Sequence, residues 1–132
     1  MQHSIPYTPQ QNGVAERKNR SLKEMSTCMM ESKYFPPNFC AEAINYSSYI
    51  HNTLPHMQLD GITPFESWSG HKPYVTHFRI FGSKAWVRIP TKKRKDLKTQ
   101  SQECLFVRYS KDSKGYNLIK LSTNKSFIER NV

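Results

Sequence analysis

The hydrophobic period of this chain changes once along its length, and that change limits the folds open to it. Up to about residue 72 the apolar residues recur at helical spacing, and from Lys84 onward they alternate. Nothing between Val14 and Ser32 breaks a helix, and Tyr34-Phe35-Pro36-Pro37 stops it. Its expected core stripe is Val14, Ser21, Leu22, Met25, Cys28 and Met29. The second proline suits the first turn of a second helix, about Pro37 to Thr53. Phe39 or Cys40, Ala43, Ile44, Ser47 and Ile50 form its stripe, and Leu54-Pro55 ends it. Thr63-Pro64-Phe65-Glu66 has the parts of a capping box, and Gly70 closes a short helix around Trp68 that reads as packing and punctuation. Four strands follow, at about 84–89, 104–109, 116–121 and 126–130, with turn residues between them. The expected class is α+β, with the short strands curling into a small barrel.

The start of the first helix has chemical interest. Ile5 to Gly13 holds Pro6, Pro9 and Gly13 and reads as an irregular loop, which delivers Glu16 into the first helical turn. The helix dipole favours a carboxylate there, so a charge-complemented helix start is one reading. Glu16, Asn19, Arg20, Lys23 and Thr27 share the side opposite the apolar stripe. One acid among amides and bases suits a phosphate backbone, and leaves the carboxylate free to hold a metal ion.

Charge is distributed unequally. Residues 1–72 hold six Lys/Arg and six acids, whereas residues 73–132 hold fourteen and four, so the whole excess of +10 lies in the second part. That asymmetry points to a polyanion, with nucleic acid first. Lys92, Lys93, Arg94, Lys95 and Lys98 are packed into one segment between the first two strands, which mutual repulsion makes a solvated loop. The loop reads equally as solubilising charge and as a nucleic-acid contact, with Trp86, Arg88, Arg108 and Tyr109 as aromatic and basic neighbours. Lys92 to Lys95 also fit a nuclear localisation signal. The three cysteines match neither a disulfide framework nor paired zinc ligands, and His3, His51, His56, His71 and His77 lack metal-ligand spacing. No apolar run reaches membrane-spanning length and no signal peptide opens the chain, so an intracellular setting, with the nucleus favoured, is expected.

Tyr7-Thr8-Pro9-Gln10-Gln11-Asn12-Gly13-Val14-Ala15-Glu16 resembles the end of the catalytic core of Ty1/copia-type retrotransposon integrases. The resemblance continues through Phe35 to Ala43, Leu59 to Glu66, His77 to Gly82, Glu103 to Tyr109 and Lys114-Gly115-Tyr116, essentially the whole chain. It implies a truncated RNase H-like integrase core, present as helices only, over residues 1–72. A basic SH3-like barrel over residues 73–132 follows, with a linker at about 71–82. It further implies that Glu16 is the last acid of an Asp, Asp, Glu triad that holds Mg²⁺ for DNA strand transfer. The two aspartates and the zinc-binding region would lie upstream of Met1. Cys40 stands where the family usually has Trp, and should leave a void; Arg108 stands where it usually has Gly, and should distort the strand or add a basic contact.

One carboxylate cannot fix two hydrated Mg²⁺ ions, so the expectation is an inactive integrase fragment with no stably bound metal. The alternative is a non-catalytic nucleic-acid-binding or protein-interaction module. The expected partner is DNA, bound largely without regard to sequence through Asn19, Arg20, Lys23, Lys92, Lys93, Arg94, Lys95 and Lys98. No membrane partner is expected. The first two helices lack a sheet of their own, so Leu22, Met25, Met29, Ile44 and Ile50 should lie exposed, meet each other or drive self-association.

Overall fold

The computed structural model describes residues 12–89, 100–110, 113–120, 122–123, 125–130 and 132. Helix α1 runs Gly13–Ser32 and helix α2 Cys40–Thr53, with a 3₁₀ turn at Pro37–Phe39 that starts on the expected proline. Helix α3, Pro64–Ser69, is capped by the Thr63 hydroxyl, which accepts from the Glu66 N–H at 3.0 Å, and Gly70 ends it at φ 74°. Strands β1 (Lys84–Arg88), β2 (Ser101–Tyr109), β3 (Tyr116–Lys120) and β4 (Lys125–Glu129) form an antiparallel sheet in sequence order. The α+β class and the succession of elements follow the hydrophobic period closely.

The buried face of α1 is rotated from the expected stripe. Ser26 is buried and Lys18, Leu22, Met25, Met29 and Met30 are half-buried, while Val14, Ser21 and Cys28 are exposed. The apolar arc of α1 is broad enough to be buried along either flank, and the approach of α2 selects the Ser26 side. Small side chains make that approach close: Ser26 donates to the Lys23 carbonyl and Ser47 to the Met29 sulfur, so neither hydroxyl is stranded. On α2, Ala43, Tyr46 and Ser47 are buried, whereas Ile44 and Cys40 are exposed. Trp68 is 94% exposed, so α3 does not pack through it as expected.

The sheet that the first two helices need is supplied by the second half of the chain. Ala43 and Tyr46 of α2 share one buried cluster with Phe81, Ala85, Val87, Cys104, Phe106, Val107, Leu118 and Ile119. Tyr46 is its hinge point: its ring meets Phe81, Phe106 and Tyr109, and its hydroxyl donates to the Arg79 carbonyl. The core therefore crosses the expected boundary near residue 72, and the segment 71–82, expected as a linker, contributes Phe81 to it. Gly82 allows the crossing. It sits at φ 72°, donates its N–H to the Phe106 carbonyl, and a Cβ there would fall 2.6 Å from the Phe35 ring.

Candidate nucleic-acid interface

Helix α1 presents Glu16, Asn19, Arg20, Lys23 and Thr27 to solvent, as the helical period predicts. Its other basic residue behaves differently. Lys18 turns towards α2, where its ammonium donates to Nδ1 of His51 at 2.6 Å, and the His51 ring lies 4.4 Å from that of His56. Burial, then Lys18 and His56, hold the His51 imidazole below its ordinary pKa, which keeps the accepting nitrogen unprotonated at neutral pH. Arg17, Lys18, His51 and His56 line a groove of about 580 Å³ between the helices. Sequence spacing gave no sign of it, because the 33 residues separating Lys18 from His51 are bridged only by the helix hairpin.

Glu16 does not fit a pair of Mg²⁺ ions by itself. Among the described residues no group of three His, Cys, Asp or Glu is assembled in a way that could hold a metal, and residues 1–11 contain no acid. Two octahedral cations need several anionic oxygens fixed around them, and one exposed side chain supplies two. The histidines are engaged with other partners: His51 and His56 as above, and His77 with the Tyr49 hydroxyl at 2.8 Å. His3 lies outside the described residues.

Across the sheet, the expected surface of Trp86, Arg88, Arg108 and Tyr109 divides in two. On β1, Ala85 and Val87 point into the core while Lys84, Trp86 and Arg88 face outward, and Trp86 is 58% exposed. Lys84 is paired with Glu103 at 2.8 Å. Arg108 instead pairs with Glu42 of α2, both side chains partly buried, so its charge ties helix to sheet rather than facing a ligand. The strand is irregular at that point, with a register shift between Phe106 and Arg108. Thus the expected distortion is found, whereas the expected extra basic contact is not. Tyr109 is drawn into an aromatic cluster with Tyr46, Tyr49, Phe78, Phe106 and Tyr116, and its hydroxyl accepts from the Arg79 N–H at 2.7 Å. Cys40 lines an open groove of about 580 Å³ with Met30, Tyr34, Phe35 and Pro37, where the void was expected. Lys92, Lys93, Arg94, Lys95 and Lys98 lie outside the described residues.

Residues 83–132 match the family model of the retroviral polymerase SH3-like domain. The chain as a whole is 32% identical over 129 residues to the retrovirus-related Pol polyprotein from transposon TNT 1-94 of Nicotiana tabacum. The chain belongs to the retrovirus-related Pol polyproteins. It is also 28% and 29% identical to those from transposons RE2 and RE1 of Arabidopsis thaliana. In each case 98% of this chain is covered, and it spans about a tenth of the relative's length: 10%, 9% and 9%. No solved structure matches it. Within this Pol segment the SH3-like domain starts at Ser83, one residue after the glycine that carries the chain past the helix hairpin.

Proposed function

We propose that the chain is the part of a copia-type integrase that follows the loop before the third catalytic acid, and that it holds DNA rather than cutting it. The observation that carries this reading is charge. The matched SH3-like domain, residues 83–132, contains thirteen Lys/Arg and four acids, a net +9. Among the described residues only two of those bases, Lys84 and Arg108, are paired with a carboxylate within 4 Å. Arg88, Lys114, Lys120, Lys125 and Arg130 remain to neutralise phosphates, with the five bases of the 92–98 segment beside them in sequence. Each neutralised phosphate releases counterions, which gives affinity and a steep salt dependence but no sequence preference. Asn19, Arg20 and Lys23 on α1 add a second positive face.

Strand transfer belongs, on this reading, to the longer polyprotein, whose remaining acids would join Glu16 in an RNase H-like site. Titration of the full chain with random duplex DNA at several salt concentrations tests the binding part. Affinity falling steeply with salt, and a slope reduced by roughly four when Lys92, Lys93, Arg94 and Lys95 are all changed to Ala, is expected. Undetectable binding at low salt would remove the proposal. Nicking of supercoiled DNA with Mg²⁺ that disappears in Glu16→Gln would overturn the non-catalytic part. A second reading, contact with another protein surface or a second copy, is favoured by Met57 and Trp68, exposed at 97% and 94%. Sedimentation of the wild type and Trp68→Ser distinguishes it.

A further inference from the structure

A groove of about 640 Å³ opens beside the turn that joins β2 to β3. Tyr49, Tyr74, Tyr109, Tyr116 and His77 line it together with Lys114 and Arg130, and no carboxylate side chain is among its lining residues. Tyr74 is 73% exposed, yet its ring is held nearly parallel to that of His77, at 12° and 5.9 Å between centroids. A large ring left in solvent but fixed in orientation is a stacking platform with one free face. His77 is itself fixed by the Tyr49 hydroxyl, and burial followed by the Arg79 guanidinium holds its imidazole in the neutral, more readily stacked form. Gly115 keeps the turn tight: a Cβ there would fall 2.9 Å from Ile128 and 3.3 Å from the Glu129 carbonyl. That closeness carries Lys114 to the mouth of the groove.

Flat aromatic faces beside unpaired cations match a base and its phosphate, and the volume lies within the range of small-ligand sites. A duplex conceals its base faces, so the fitting partner is unpaired. Polyproline segments also dock in aromatic-lined grooves, but a neutral polyproline helix makes no use of two cations in a site without an acid. We propose that this groove binds an unpaired nucleotide of a single-stranded nucleic acid, with the base stacked on Tyr74 and a phosphate held by Lys114 and Arg130. The proposal shares with the proposed function only the polyanionic partner; it does not use the 92–98 segment.

The test titrates the full chain with a fluorescent single-stranded oligonucleotide and with a duplex of equal length. Tyr74→Ala should weaken single-strand binding roughly fivefold or more and leave duplex binding unchanged. Tyr74→Trp should keep single-strand affinity, and Lys114→Ala with Arg130→Ala should lower it. Because Tyr74 is largely exposed, its variants should melt as the wild type does. Single-strand binding that is absent, unaffected by Tyr74→Ala, or lost in parallel with duplex binding overturns the inference. Binding of a proline-rich peptide that depends on Tyr74, without single-strand binding, would give the groove to that partner instead. Duplex binding that is absent while Tyr74-dependent single-strand binding persists would sink the proposed function and leave this inference standing.

Discussion

Two residues carry more of the structure than their chemistry alone indicates. Gly82 has both a positive φ and a phenyl ring where a side chain would go. Gly82→Ala should therefore cost at least about 2 kcal/mol, from left-handed strain and displacement of Phe35 together. Chemical denaturation measures it, and a change of less than about 0.5 kcal/mol would show that the crossing tolerates a side chain. Arg108 departs from the family's usual glycine, and its ion pair with Glu42 joins β2 to α2. Both side chains are partly exposed, so the pair is worth less than a buried one. A double-mutant cycle on Arg108→Ala and Glu42→Ala should give a coupling of about 1 kcal/mol. Zero coupling would mean that the contact is incidental. The sequence identified both positions as unusual, but not their partners, which lie 47 and 66 residues away in the chain.

At the scale of elements, the helix limits were legible because prolines, caps and Gly70 act locally. The orientation of α1 was not, because Leu22, Met25 and Met29 belong to either flank and only α2 decides between them. The α1–α2 contact also has a pH dependence whose sign can be worked out. Burial holds the pKa values of His51 and His77 below 6.5 in the folded chain, so the unfolded chain takes up protons first as pH falls. Stability from these groups is present above about pH 6.5 and is lost below it, as Lys18 loses its acceptor and Tyr49 its partner. Burial raises the phenol pKa values of Tyr46, Tyr49 and Tyr109, so stability is lost again above about pH 10; Lys18, with its pKa lowered by burial, opposes this in part. Melting temperature should accordingly peak between pH 7 and 9. A His51→Gln, His77→Gln variant should show a flatter acid limb, and an unchanged limb would assign the loss to other groups.

Taken whole, the molecule has one core built from both halves. Cutting between residues 72 and 73 exposes Ala43 and Tyr46 on one side and Phe81 and Phe106 on the other. Neither fragment should melt cooperatively alone, whereas the full chain should, and mixing the two should restore part of the signal. Calorimetry decides it: a sharp transition in isolated residues 73–132 would show that the SH3-like sheet stands without α2. The expectation that the first two helices lack partners of their own was correct from the sequence. Their partners lay in the same chain, in a segment read as a linker.

The sequence by itself determined the class, the order and near-limits of every element, the outward face of α1 with Glu16, Asn19, Arg20 and Lys23, and the family. All of these depend on residues close together in the chain, or on motifs read one at a time. Tertiary structure alone decided that Tyr46 joins the helices to the sheet, that Arg108 faces Glu42 rather than a ligand, and that Tyr49, Tyr74, His77, Tyr109 and Tyr116 meet around one groove. Those side chains come from elements separated by up to 67 residues, between Tyr49 and Tyr116. Local propensity and period hold no information about such distances, since the packing of α2 on β2 is what brings the residues together.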